Sequence, residues 1–191
     1  MDIKNTVEVQ PLGGTPSPSL PMPQWLKLAY GVFFLTLMAQ MTIPLPWTPV
    51  PITGQTFGTA CVALTMGSLA TPTVAIYWLL GLCGLPVLAG AASGVLWGPK
   101  SGYLLGMVLA TDVVRRLKAR GLTRTWWSYF YILCAGGLII YALGLLFLSF
   151  FVPHGKLLMA GLWPFIPGDI LKMLAATTVS FHWNRYVASK H

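Results

Sequence analysis

The chain has 191 residues, of which 55% are hydrophobic and only 8% are charged. A soluble domain has about a quarter charged residues, so the composition excludes an ordinary water-soluble fold. A net charge of +8 is also found in nucleic-acid-binding proteins, but here the basic residues lie between apolar segments, where membrane topology accounts for them. The chain is therefore predicted to bind no nucleic acid and to lie in a lipid bilayer.

The first 23 residues differ from the rest of the chain. They are polar and rich in proline, and they include Asp2 and Glu8, which are not typical of a secretory signal. Residues 1–23 are therefore predicted to form a flexible cytoplasmic arm. Residues 24–187 are predicted to form a six-helix membrane domain, and residues 188–191 a C-terminal tail.

A stretch of 72 residues, from Leu28 to Pro99, contains no Asp, Glu, Lys or Arg. A helical span of a bilayer takes about 20 apolar residues, so this stretch alone holds three spans. Apolar spans are predicted over residues 25–43, 56–69, from after Pro72 to 88, 103–117, 127–152, and from 157 or after Pro167 to 183. The predicted fold class is an all-α integral membrane protein of about six transmembrane helices.

The basic residues are distributed unevenly between the two sides of these spans. With both termini in the cytoplasm, nine Lys and Arg residues face the cytoplasm and two face the outside, as the positive-inside rule requires. The cytoplasmic residues are Lys4, Lys27, Arg115, Arg116, Lys118, Arg120, Arg124, Arg185 and Lys190, and the outer residues are Lys100 and Lys156. The chain is therefore predicted to be a multi-pass protein of the bacterial inner membrane, the plasma membrane, with cytoplasmic termini.

Residue types that bind metals or perform catalysis show no recognisable grouping. Cys61, Cys83 and Cys134 all lie in apolar segments without CxxC spacing, so neither a disulfide framework nor a zinc site is predicted. No nucleophile with a neighbouring base is evident either. We therefore expect no metal, no cofactor and no enzymatic activity.

Asp169 and Lys172 are the ionisable pair within an apolar span. Their spacing of three residues places both side chains on one face of a helix. A charge in the hydrocarbon region is costly, so such residues usually face a cavity or the bundle interior and belong to a functional site. The alternative is a structural ion pair that neutralises itself. We favour the functional interpretation.

The proline-rich segment 49–58 also offers polar groups, on the predicted outer side. It combines a sharp turn at Gly54 with polar side chains at Thr53, Gln55 and Thr56. Such a segment either contributes to a binding site or is an ordinary turn with a helix cap at Thr56.

Glycines recur at four-residue spacing at Gly90, Gly94, Gly98 and Gly102. Close helix packing by small residues is one interpretation, and from the residues alone we favour it. The other is a backbone that approaches a ligand closely, with Ser93 supplying a hydroxyl group.

Four ordered segments of the chain resemble one family closely. They are Pro51-Ile-Thr-Gly-Gln-Thr-Phe-Gly58, Gly81-Leu-Cys-Gly-Leu-Pro-Val87, Gly98-Pro-Lys-Ser-Gly-Tyr-Leu-Leu-Gly106 and Pro164-Phe-Ile-Pro-Gly-Asp-Ile-Leu-Lys172. From about residue 25 to residue 183 the chain resembles BioY, the biotin-specific S component of energy-coupling factor transporters. The third segment contains Gly-Pro-Lys-Ser-Gly, whereas the corresponding segment of the family is similar to Gly-Pro-Thr-Gly-Gly.

The resemblance implies a six-helix fold with a biotin site near the outer face. It also implies partners in trans, namely an energy-coupling factor (ECF) transmembrane coupling subunit and two ATPase subunits. This chain has no Walker motif, so any ATP hydrolysis belongs to another chain.

Biotin carries a ureido group, for which Asp169 is the expected acceptor. Lys172 is expected to donate to the ligand, to keep Asp169 ionised, or both. The other expected ligand-binding residues are Thr53, Gly54, Gln55, Ser93, Trp97 and Tyr103.

Other functions stay open at this point. The chain could be an S component for thiamin or riboflavin, or it could transport biotin without partners. A membrane enzyme acting on lipid would need a nucleophile or a metal set, and neither is recognisable in the sequence. A purely structural subunit would have no use for the costly Asp169–Lys172 pair.

Overall fold

The computed structural model describes residues 22–94 and 97–189. Most of the predicted arm and the end of the predicted tail lie outside these residues. Within them the chain forms one short α-helix and six α-helices of 11 to 23 residues. The helices are α1 (Gln24–Gln40), α2 (Gln55–Thr65), α3 (Ala70–Leu82), α4 (Ser101–Ala119), α5 (Trp126–Leu148), the short α6 (Leu157–Gly161) and α7 (Ile166–Ala188).

Local sequence signals explain where α5 and α7 begin. At the start of α5, Thr125 Oγ1 accepts from the backbone N–H of Ser128, and Ser128 Oγ accepts from that of Thr125. This reciprocal capping box satisfies two backbone donors that the first helical turn leaves free. In α7, Pro167 occupies the first turn, where its missing N–H costs nothing and its fixed φ suits a helix.

One element departs from the all-helical prediction. Two short antiparallel strands, β1 (Thr42–Ile43) and β2 (Ile52–Thr53), form a hairpin between α1 and α2. The intervening segment is rich in proline, which cannot continue a helix because it lacks a backbone N–H. The hairpin brings the chain back to the end of α1, where the N–H of Gly54 donates to the carbonyl of Met41 at 2.9 Å.

Two helical segments are long and apolar enough to cross a membrane, Trp126–Leu148 and His154–Ala188. The other four long helices are shorter or carry charges. The bundle surface is nevertheless apolar, with exposed fractions of 71% for Leu138, 66% for Leu171 and 59% for Phe33. Exposed apolar surface on this scale fits a lipid environment and not water.

The helices α4 and α5 pack closely along their length. A Cβ atom on Gly102 would collide with the carbonyl oxygen of Leu143, and one on Gly106 would lie 2.8 Å from Cα of Ile140. Only glycine permits this approach of the two backbones.

Helix packing therefore accounts for Gly102 but not for all of the glycine run. Gly90 and Gly94 have positive φ angles of 68° and 71°, with open space around the position of a Cβ atom. The prediction of helix packing was wrong for these two glycines, which adopt the left-handed backbone conformation that favours glycine.

Buried apolar side chains form two clusters inside the bundle. The first includes Leu35, Tyr77 and Leu104. The second includes Leu64 and Leu133. Residues of both clusters also line the cavities of the candidate functional site.

At the end of the bundle opposite the hairpin, polar contacts secure the end of α2. Lys118 of α4 donates to the carbonyl of Leu64 and to Oδ1 of Asn184, and Asn184 Nδ2 donates to the same carbonyl at 3.2 Å. These donors satisfy a carbonyl that the last turn of α2 leaves without a helical partner.

Candidate functional site

A cavity of about 210 Å³ lies among α2, α4, α5, α7 and the segments that precede α2 and α4. We call it the main cavity. Its described lining consists of Val50, Pro51, Thr53, Gln55, Thr56, Leu88, Ala89, Ala92, Pro99, Lys100, Tyr103, Leu104, Met107, Ile140, Tyr141, Phe165, Asp169 and Lys172. The exposed lining surface is mostly apolar, with polar groups at a few points, which is the usual composition of a small-molecule site.

Asp169 is the centre of the polar group in this cavity. It lies in the first turn of α7 and is only 8% exposed. Its Oδ1 accepts from Lys172 Nζ at 2.8 Å and from Thr56 Oγ1 at 3.0 Å. Its Oδ2 accepts from the hydroxyl of Tyr141 at 2.6 Å. These four residues, the Asp169 cluster, connect α2, α5 and α7.

The geometry of the Asp169 cluster leaves room for one more donor. An ionised carboxylate offers about four lone-pair positions, and the described donors to Asp169 occupy three of them. The remaining position is on Oδ2. Among the described residues, Tyr141 alone donates to this oxygen. A ligand with an N–H or O–H group can therefore complete the hydrogen bonding of this buried carboxylate.

Tyr141 is the member of the cluster that was not predicted from the sequence. It lies within the apolar helix α5, among aliphatic residues. A tyrosine in the middle of an apolar span is itself a weak signal, because its buried hydroxyl needs a partner. That signal does not say which partner the tyrosine meets.

Gln55 and Thr53 also line the main cavity, and both have hydrogen-bond partners in the protein. Gln55 Nε2 donates to the hydroxyl of Tyr77 at 2.6 Å, and Thr53 Oγ1 donates to Gln55 Oε1 at 3.2 Å. Gln55 is 5% exposed and Tyr77 is 2% exposed. Since Gln55 and Thr56 already belong to α2, Thr56 uses its side chain for Asp169 and does not cap the helix.

The remaining predicted site residues divide into two groups. Tyr103 lines the main cavity and donates through its hydroxyl to the carbonyl of Gly161 at 2.8 Å. Gly54, Ser93 and Trp97 are not part of the described lining.

Each of these three has a different position. Gly54 is the residue before α2, with no room for a side chain beside the carbonyl of Met38. Ser93 is exposed. Trp97 is 61% exposed and packs against aromatic rings at the end of α5, including Phe147. A contact of Gly54, Ser93 or Trp97 with a ligand stays a prediction.

A second cavity of about 30 Å³ lies on the other side of the Asp169 cluster. We call it the small cavity, and its volume accommodates about one or two water molecules. Five residues line both cavities, namely Thr56, Ile140, Tyr141, Asp169 and Lys172. The Asp169 cluster therefore forms the wall between the main cavity and the small cavity.

The described residues hold no group of three or more His, Cys, Asp or Glu side chains with the geometry of a metal site. A buried carboxylate and an ammonium group at one end of an apolar cavity can bind the polar head of a small organic molecule, while the apolar walls cover the rest of it.

A helical bundle with an apolar surface and such a cavity has the features of a membrane protein that binds small molecules. Comparison with known proteins gives the family. The chain belongs to the BioY family, whose family model matches residues 15–189.

Relatives of known name agree with this assignment. The biotin transporter BioY of Thermotoga maritima is 36% identical over 154 residues, covering 78% of this chain and 90% of the relative. The biotin transporter BioY of Rhizobium etli is 33% identical over 163 residues, covering 79% of this chain and 87% of the relative. These names describe transporters, so the family is one of transporters and not of enzymes.

The fold also has a counterpart among solved structures. The S-component for biotin from an ECF-type ABC transporter superposes with a TM-score of 0.77 at 26% identity. The match covers 85% of this chain and 90% of that chain. The resemblance to the BioY family seen in the four sequence segments is thus confirmed, and the structural counterpart supports a membrane location.

Proposed function

We propose that this chain is the substrate-binding membrane subunit of a biotin uptake system. The observation that carries the proposal is the Asp169 cluster at one end of a mostly apolar cavity, in a chain of the BioY family. Biotin matches these features, because its ureido group offers N–H donors and its remaining surface is largely apolar.

In the proposed complex the ureido group lies at the Asp169 cluster. Asp169 Oδ2 accepts from a ureido N–H, filling the lone-pair position that the protein leaves free. Lys172 holds Asp169 in an ion pair and donates to the ligand. Gln55, Thr53 and Tyr103 shape the polar part of the cavity, and Gly54, Ser93 and Trp97 stay predicted contacts at its periphery.

Binding by the purified protein tests this proposal. Calorimetry in detergent should give saturable binding of biotin and none of thiamin or riboflavin at the same concentrations. Binding of thiamin or riboflavin in preference to biotin would identify an S component for another vitamin, and the absence of binding for all three would contradict the proposal.

We further propose that transport depends on an ECF transmembrane coupling subunit and two ATPase subunits in trans. The supporting observation is the structural counterpart, which is the S-component of an ECF-type ABC transporter. Labelled-biotin uptake in a host without ECF coupling subunits should stay at background and should rise when those subunits are co-expressed. Full uptake without them would show that this chain transports biotin alone.

For the topology we propose a multi-pass protein of the bacterial inner membrane with both termini in the cytoplasm. Arg115, Arg116 and Lys118 lie at one end of α4, whereas Lys100 precedes its other end, and this asymmetry supports the orientation. In a cysteine-free background, a membrane-impermeant maleimide should label Lys156→Cys in intact cells. It should label Ser189→Cys only after permeabilisation, and the reverse pattern would contradict the orientation.

A further inference from the structure

Lys100 is a charged residue that lines the main cavity but has no role in the proposed recognition of the ureido group. It lies in the turn before α4 and is partly exposed. In the ranges 22–94 and 97–189, its side chain takes part in no hydrogen bond and no ion pair. A lysine at the wall of a mostly apolar cavity, without a partner there, is a candidate contact for a ligand.

The charges around the main cavity do not balance. Its described lining contains one acidic and two basic side chains, namely Asp169, Lys172 and Lys100. Asp169 and Lys172 form an ion pair and cancel each other. Lys100 leaves the described lining with one positive charge, so an anionic ligand is electrostatically favoured over a neutral one.

The position of Lys100 separates it from the Asp169 cluster. Members of that cluster line both cavities, whereas Lys100 and its neighbour Pro99 line the main cavity only. Lys100 therefore lies in the lining of the main cavity but outside the wall that the two cavities share. A ligand in the main cavity with its polar head at the Asp169 cluster can present a second polar group to Lys100, because both line that cavity.

We propose that Lys100 binds the carboxylate of the ligand and makes the site selective for the free acid. This inference rests on the proposed function, since biotin joins a ureido head to a chain that ends in a carboxylate. The flexible four-carbon stem of lysine lets its ammonium group follow the end of the tail. The main cavity thus has two polar contact regions, one for the head and one for the tail.

The test measures the binding of two ligands to each of four proteins. Biotin and biotin methyl ester, which lacks the negative charge, are titrated calorimetrically into the wild-type protein and into Lys100→Gln, Lys100→Arg and Lys156→Gln. Lys156 is the matched control, because it is exposed, lies outside the described cavity lining and belongs to the same predicted side of the membrane.

The wild-type protein should bind biotin about tenfold more tightly than the methyl ester, as expected for a charge-assisted contact that is partly open to water. Lys100→Gln should remove this preference by weakening the binding of biotin alone. Lys100→Arg and Lys156→Gln should retain it, and added salt should reduce it in the wild-type protein.

Three results would overturn the inference. One is an acid preference that persists in Lys100→Gln, which would place the carboxylate at another group. Another is an equal loss of acid and ester in that variant, which would indicate a role in folding. The third is tight binding of both ligands by the wild-type protein without preference, which would leave the proposed biotin function intact. Absence of any biotin binding by the wild-type protein would instead contradict both proposals.

Discussion

The hydroxyl of Tyr141 donates to Oδ2 of Asp169 at 2.6 Å, across the interface between α5 and α7. This contact holds the carboxylate from the side opposite Lys172 and Thr56, which both donate to Oδ1. A carboxylate restrained by donors from three helices keeps one orientation before a ligand arrives. Preorganisation of this kind reduces the entropy that binding would otherwise cost.

Replacing Asp169 by asparagine should weaken biotin binding by about 1.5–3 kcal/mol, the usual contribution of a hydrogen bond to a charged group. The substitution also leaves Lys172 without its ion-pair partner. Calorimetry in detergent measures the change. Asp112→Asn is the matched control, because Asp112 pairs with Arg115 and Arg116 and lies outside both described cavity linings. Unchanged biotin affinity in Asp169→Asn would remove Asp169 from the site.

Replacing Tyr141 by phenylalanine should weaken biotin binding by about 1 kcal/mol and leave the fold intact. The variant loses one hydrogen bond to Asp169 Oδ2 but keeps the ring that packs in α5. Tyr131→Phe, on the same helix and 65% exposed, should bind biotin like the wild-type protein. Equal effects of the two substitutions would show that the Tyr141–Asp169 contact does not contribute to binding.

Replacing Gly102 by alanine should lower the unfolding temperature of the protein in detergent. Its new methyl group would collide with the carbonyl of Leu143 and with the side chain of Phe147. Overpacking of this kind costs about 1–3 kcal/mol. Gly155→Ala should leave the unfolding temperature unchanged, because nothing lies within 4 Å of its Cβ position. A stable Gly102→Ala protein would show that α4 and α5 can separate without cost.

Replacing Tyr77 by phenylalanine should destabilise the protein by about 1–3 kcal/mol, since Gln55 Nε2 loses its described hydrogen-bond acceptor in a buried place. Thermal unfolding of Tyr77→Phe, Gln55→Leu and the double variant measures the coupling. The double variant should be less destabilised than the sum of the single variants. Additive effects would show that the two side chains do not depend on each other. Tyr30→Phe, at an exposed tyrosine of α1, serves as the control.

The helical architecture follows from the sequence to a large extent. The six predicted spans correspond to the six long helices, with ends that differ by several residues. Runs of apolar residues interrupted by proline and by basic loops predict such helices, because the bilayer requires backbone hydrogen bonds to be satisfied within each span. The hairpin between α1 and α2 was not predicted, because two-residue strands leave no periodic pattern.

The sequence predicted the contacts of the candidate site only between residues that are close together in the chain. Asp169 and Lys172 lie on one face of α7 because they are three residues apart, which is close to the length of one helical turn. No local rule brings Thr56 or Tyr141 to them, since these residues are 113 and 28 positions away from Asp169. The positions of Ser93 and Trp97 outside the described cavity lining likewise depend on how the chain between α3 and α4 folds back.

Apolar composition and helical spacing therefore predict a helical membrane protein with Asp169 and Lys172 on one face of an apolar helix, because these properties depend on a few neighbouring residues. The partners of that pair, and the cavity it faces, depend on which helices lie side by side. Packing between segments that are distant in the sequence determines which helices are neighbours, through contacts such as that of Gly102 with Leu143. Such contacts require that the surfaces of two helices fit together, and the sequence pattern of one helix alone does not show which other helix fits it.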